Sequence, residues 1–116
     1  MSNTEAIQAA IEASLSQEER LHAVVYLDDT LRPAGSAQAG DQVIAMNAPY
    51  RLVFIDRAPG ANWMHPARYL LISSVSNEVE SVESNRPPVF GTLPAGWRVV
   101  GRPAGLEDWR LMPIAP

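Results

Sequence analysis

The segment between Asp56 and Tyr69 holds the densest set of side chains that could do chemistry. Its fourteen residues include an acid, two arginines, an amide, an indole, an imidazole and a phenol. A loop held between two apolar runs is a common place for binding groups, because rigid strands fix where the loop side chains point. The sequence therefore predicts a ligand-binding loop, with the candidate residues Asp56, Arg57, Asn62, Trp63, His65 and Arg68.

Two interpretations of this loop stay open at the level of the sequence. In the binding interpretation, Trp63 is an apolar platform and its polar neighbours contact an acidic or polyhydroxy ligand. In the structural interpretation, which we favour, Pro59-Gly60 is a turn and Trp63 plugs one end of a β-sandwich. Asp56 would then pair with Arg57 or Arg68.

Asp56 and His65 could also form an acid–base dyad. The usual companions of such a dyad are missing, since Ser36 lacks the strand–turn–helix setting of a nucleophile elbow. The chain has no lysine and no cysteine, which excludes lysine Schiff bases and thiol nucleophiles. We therefore expect a non-catalytic protein without a cofactor, and keep a small acid–base enzyme using Asp56 and His65 as an alternative.

The composition disfavours metal ions, nucleic acids and membranes as partners. The chain has two histidines, and Asp28, Asp29 and Asp41 could offer oxygen ligands to calcium, but their spacing does not match a calcium-binding loop. We expect no metal site. The formal charge is −4, and the nine arginines are scattered along the chain. Phosphate-rich surfaces attract clustered cations, so we expect neither a nucleic-acid partner nor an anionic membrane.

The apolar pattern predicts one domain over residues 1–116, with a helical segment at 1–20 and a β-rich body at 21–112. Ile7, Ile11 and Leu15 recur at helical spacing and form one narrow stripe of a helix at 4–15. Ser16 and Glu19 have the spacing of a capping box, which would begin a second short helix. A stripe this narrow is stable only when it packs on another surface.

Compact apolar runs rich in β-branched and aromatic residues predict the strands. They lie at 23–27, 42–46, 51–55, 68–73, 79–83 and 97–100, with 106–112 as a last strand or a docked tail. Residues 30–41 and 57–67 are predicted loops. No helix separates the strands, so we predict a mainly β fold, an antiparallel β-sandwich or open barrel with an N-terminal helix. The alternative is an α+β fold with the helix packed on an antiparallel sheet. The predicted sheet core is Val25, Leu27, Val53, Ile55, Leu70 and Ile72.

The leading functional hypothesis is a small binding or assembly module, either a homo-oligomer or the partner of a larger protein. It rests on two features that need a surface, the narrow helix stripe and the apolar tail from Trp109 to Ile114. A carbohydrate-binding sandwich using Trp63 is a further alternative. We expect a cytoplasmic protein, because residues 1–20 resemble no secretory signal and no apolar run spans a bilayer. The lysine-free, alanine- and proline-rich composition suggests a bacterial source.

Overall fold

The computed structural model describes residues 3–61 and 65–116. Two helices, α1 and α2, begin the chain, and seven strands, β1 to β7, follow. The helices are Asn3–Ser14 and Gln17–His22. The strands are Val24–Asp28, Gly35–Ala39, Gln42–Met46, Tyr50–Asp56, Ala67–Ser73, Val79–Ser84 and Trp97–Gly101. A short 3-10 turn covers Asp108–Arg110.

Five strands form one antiparallel sheet in the order β6-β5-β4-β1-β7. The strongest apolar runs, β1, β4 and β5, occupy the three central positions, where both faces of a strand are covered. The glutamate-containing β6 lies at an edge of the sheet, where charged side chains are common. β2 and β3 form a separate antiparallel hairpin.

One face of the sheet packs against α1. Ile7 and Ile11 are buried against six residues of the sheet. Each of these six sheet residues is no more than 2% exposed. These six are the predicted core residues Val25, Leu27, Val53, Ile55, Leu70 and Ile72. Leu15, the third member of the predicted stripe, is only partly buried. The apolar stripe of α1 is therefore buried against the protein's own sheet.

The opposite face is covered by the β2–β3 hairpin and the C-terminal segment. Its centre is an aromatic row in which Phe54 lies between Tyr26 and Tyr69, with ring centroids 5.9 and 5.0 Å away. The backbone N–H of Met112 donates to the Tyr26 hydroxyl at 2.8 Å. Ile114 bridges to Leu93. The tail is thus a docked segment, one of the two outcomes that the sequence left open.

The prediction of a mainly β fold with an N-terminal helix is confirmed. The prediction of an uninterrupted loop over residues 30–41 was wrong, because β2 lies within it. β2 is built of small and polar residues that carry no apolar run, yet Ala37 and Ala39 are fully buried. In the part of the chain that the structure describes, no helix is long and apolar enough to cross a membrane.

Candidate functional site

The predicted loop lies at one end of the sheet, where several other elements meet. β4 ends there at Asp56, which pairs with Val24 at the start of β1 just after α2. β7 ends there too, with Gly101 opposite Val25. Asp56, Arg57, His65 and Arg68 are therefore at the same end of the molecule as α2 and the segment after β7. The candidates Asn62 and Trp63 lie outside the described residues, and their roles stay predictions.

The guanidinium of Arg68 is bound to a buried glutamate from α2. Its Nε donates to Oε2 of Glu19 at 3.0 Å and its Nη2 donates to Oε1 at 2.6 Å. The same guanidinium donates to the Ser81 hydroxyl at 2.8 Å and to the Ser14 carbonyl at 2.5 Å. Arg68 thus joins the α1–α2 junction to β5 and β6.

Arg57 belongs to the same network. Its Nε donates to Oε2 of Glu19 at 3.0 Å, and its two terminal nitrogens donate to the carboxylate of Glu83 at 2.8 and 3.0 Å. Two glutamates therefore neutralise the two arginines. The predicted pairing of Asp56 with Arg57 or Arg68 was wrong, because Glu19 is the carboxylate that both arginines reach.

Glu19 is the centre of this network and is only 4% exposed. Burial by itself would raise the pKa of its carboxyl. Hydrogen bonds from Arg68, the Ser16 backbone N–H and Arg57 outweigh burial and lower the pKa to about 2. The predicted capping box is confirmed, since Ser16 and Glu19 bond reciprocally. The Glu19 carboxylate therefore completes the cap of α2 and also joins α2 to the sheet through Arg57 and Arg68.

Asp56 and His65 do meet, as the alternative hypothesis requires. Nε2 of His65 is 2.9 Å from Oδ1 of Asp56, and the two side chains are 13% and 2% exposed. The same oxygen accepts the backbone N–H of Ala58 at 3.0 Å. A carboxylate that orients an imidazole in this way is suited to proton transfer, and equally to holding a loop closed.

The C-terminal segment adds groups that the sequence did not assign to the site. Nε of Arg110 donates to the Pro59 carbonyl at 3.0 Å, which ties the segment to the loop. The guanidinium carbon of Arg110 lies 5.9 Å from the centre of the Trp109 ring. Trp109 itself is 71% exposed. In the sequence, the apolar tail from Trp109 to Ile114 indicated a segment that docks on another surface. It did not indicate which residue of the tail faces solvent.

Two hollows flank the loop at this point. One, of about 230 Å³, is lined by residues that include Asp56, Gly60 and Trp109. The other, of about 330 Å³, lies between α2 and the C-terminal segment and includes Leu21, Pro59 and Arg110 in its lining. Leu21 is 57% exposed. We refer to the patch made by these residues as the Trp109 surface; its members are Leu21, Pro59, Gly60, Trp109 and Arg110.

Each of the three aspartates that the sequence analysis considered as calcium ligands is hydrogen-bonded to a different side chain. Asp28 accepts Nη2 of Arg32 at 2.9 Å, Asp29 accepts Nε of Arg98 at 2.7 Å, and Asp41 accepts the Ser84 hydroxyl at 2.6 Å. Among residues 3–61 and 65–116, no group of three or more acidic or imidazole side chains is placed to hold a metal ion.

Comparison of the chain with protein-family models, characterised proteins and solved structures finds no match.

Proposed function

We propose that this protein is a non-catalytic binding or assembly module that associates with a second copy of itself through the Trp109 surface. The observation that carries the proposal is the 71% exposure of Trp109 beside two hollows. An indole that is exposed to water would bury a large apolar area if it entered a contact with another surface. Tryptophan and arginine are also the residue types that most often dominate binding energy at protein interfaces.

A second copy is a suitable occupant because the projecting ring and the hollows belong to the same patch. In a twofold dimer each subunit offers the same surface to the other, so a projection beside a recess is self-complementary. Trp109 of each copy would enter the hollow between Leu21 and Pro59 of its partner, and Arg110 would border the contact.

The residues that support association are not the ones that the sequence analysis predicted. The helix stripe and the tail were the predicted sticky elements, but Ile11 is buried on the sheet and Met112 on the aromatic face. Neither needs another chain. The proposal therefore rests on Trp109 and on Leu21, both exposed at the end of the sheet where the loop lies.

Sedimentation equilibrium over a range of concentrations tests the proposal. We expect a mass that rises towards twice 12.7 kDa for the wild type and stays at 12.7 kDa for Trp109→Ala. Val75→Ala is the matched control, because Val75 is 77% exposed but lies in the turn at the opposite end of the sheet. A wild type that is monomeric throughout, or a Trp109→Ala variant that associates as well as the wild type, would contradict the proposal.

The acid–base alternative keeps one specific observation in its favour, the 2.9 Å contact between His65 and Asp56 next to a hollow. Hydrolysis of an activated ester such as p-nitrophenyl acetate tests it. The alternative requires a rate that falls in His65→Ala and in Asp56→Asn but not in His22→Ala, whose imidazole is 66% exposed. Equal rates in all three variants would remove it.

The carbohydrate-binding alternative depends on Trp63, which lies outside the described residues. The other two tryptophans do not form one platform, because Trp97 is 5% exposed and Trp109 is 71% exposed. A cytoplasmic location and a bacterial source remain proposals that rest on the sequence alone.

A further inference from the structure

The hairpin strand β3 has an outer edge without the features that normally keep sheet edges from pairing. Exposed edge strands pair with other chains unless charged side chains, prolines or bulges protect them. In the five-stranded sheet, the edge strand β6 carries Glu80 and Glu83, and the edge strand β7 carries Arg98 and has an irregular register against β1. β3 is built of Gln, Val, Ile, Ala and Met, with no charged residue, proline or glycine. Its edge is therefore open to a further strand.

The register of the hairpin shows which backbone groups of β3 are available. Ala39 pairs with Gln42, so the turn between β2 and β3 has two residues. In such a hairpin the pair that flanks the turn is hydrogen-bonded, and hydrogen-bonded and non-hydrogen-bonded pairs then alternate along the strands. The backbone N–H and C=O groups of Val43 and Ala45 therefore point away from β2. Both residues are exposed, Val43 to 64%.

The side chains of β3 indicate what an added strand would contact. Ile44 is partly buried against the aromatic core, whereas its neighbours Val43 and Ala45 are on the solvent face. Side chains of paired strands lie side by side on the same face. Alternate residues of an added strand would therefore lie beside Ile44, where an apolar side chain extends the core.

The charges near this edge define the ends of the partner segment. Asp41 is exposed in the turn that leads into β3. On β6, which lies beside β3, Glu80 pairs with Leu71 and is therefore on the same face of the sheet as the hairpin. Glu80 is exposed, and within residues 3–61 and 65–116 it forms no salt bridge. Cations at the ends of an added strand would meet these carboxylates.

We propose that the outer edge of β3 is a docking site for an extended segment of another protein, apolar at alternate positions and flanked by lysine or arginine. In this mode of recognition, main-chain hydrogen bonds supply the affinity and alternate side chains supply the specificity. A second copy is a poorer occupant, because its own β3 brings no cation to Asp41 and Glu80. The proposal goes beyond self-association, since β3 shares no residue with the Trp109 surface.

Titration of the ¹⁵N-labelled protein with the capped peptide Lys-Thr-Val-Thr-Val-Thr-Lys tests the proposal. We expect the backbone N–H signals of Val43 and Ala45 to shift with saturation and to become protected from hydrogen exchange. Glu80→Gln should weaken binding roughly 2- to 5-fold, the usual effect of an exposed ion pair. Glu12→Gln is the matched control, because it removes an exposed carboxylate from α1 instead.

Two N-methylated forms of the peptide test the main-chain hydrogen bonds without altering the protein. Methylation of the alternate residues whose N–H groups face β3 should abolish binding, and methylation of the other set should not. The proposal is overturned if the peptide shifts neither signal at about 1 mM, or if both methylated forms bind equally. Equal binding of a peptide with glutamate in place of lysine would overturn it too.

The same spectra identify a second copy as the occupant of the edge. Shifts at Val43 and Ala45 that grow with protein concentration in the absence of peptide would show that β3 pairs with β3, and would overturn the proposal. Neither protein variant alters the Trp109 surface, so these results are independent of the sedimentation experiment.

Discussion

Replacing Glu19 by glutamine is the sharpest test of how the helical segment is held to the sheet. The substitution keeps the shape of the side chain and removes the charge that Arg57 and Arg68 share. The pKa of Glu19 is lowered from its ordinary 4.5 to about 2. At ~1.4 kcal/mol for each pH unit, the ionised carboxylate contributes on the order of 3 kcal/mol to the free energy of unfolding.

The pH range of this contribution follows from the direction of the change. A carboxyl whose pKa is lowered by folding contributes fully above its unfolded value, here about 4.5, and the contribution is lost as the pH falls towards about 2. Urea unfolding, followed by circular dichroism, should therefore show wild type and Glu19→Gln differing by about 3 kcal/mol at pH 7. The gap should narrow steadily between pH ~5 and ~2.

Glu83→Gln is the matched control for this experiment. Glu83 also binds Arg57, but its side chain is 68% exposed. Exposed ion pairs contribute at most about 1 kcal/mol, so this variant should be nearly as stable as the wild type. Equal losses in the two variants, or a Glu19→Gln deficit that is the same at pH 7 and pH 3, would refute the assignment of Glu19 as the fastening group.

Three further predictions concern packing and the docked tail. Leu70 is fully buried, so Leu70→Ala should lower the free energy of unfolding by roughly 2–5 kcal/mol, and a loss near zero in urea titration would contradict its central position. Ile11→Asp should forfeit at least the ~1.5–3 kcal/mol of burying that side chain, so an unchanged melting temperature would show that α1 does not pack as described. Tyr26→Phe leaves the Met112 N–H without its acceptor; we expect a loss of about 1–3 kcal/mol. In that variant, hydrogen exchange at Met112 should be faster, and wild-type protection there would exclude the bond.

The sequence predicted those parts of the fold that depend on local pattern. The β-branched and aromatic runs around Val25, Val53 and Leu70 announce buried strands wherever they occur in the chain. β2 carries no such pattern, because Ala37 and Ala39 become strand residues only through their pairing with Ile44 and Gln42 of β3. Pairing of this kind depends on a partner, and one strand's own residues do not reveal it.

The candidate site shows the same division. The sequence brought together Asp56 and His65, which are nine residues apart and do form a pair. It could not identify the partner of Arg57 and Arg68, because Glu19 is 38 and 49 residues away from them. The capping-box spacing already explained Glu19 as a helix cap, so nothing in the sequence indicated that it also pairs with Arg57 and Arg68. Long-range ion pairs need the topology before they can be assigned.

The docked C-terminal segment has a consequence for the order in which a nascent chain can fold. The Tyr26 hydroxyl receives the Met112 N–H, and Leu93 exchanges backbone hydrogen bonds with Pro113 and Ala115. Contacts between residues this far apart form late, because the intervening chain must first be ordered. During synthesis, α1 can cover its face of the sheet once β5 has left the ribosome. The part of the aromatic face that the C-terminal segment covers stays open until residue 115 has emerged, and over that interval the Tyr26 hydroxyl and the Leu93 backbone lack their partners from the tail.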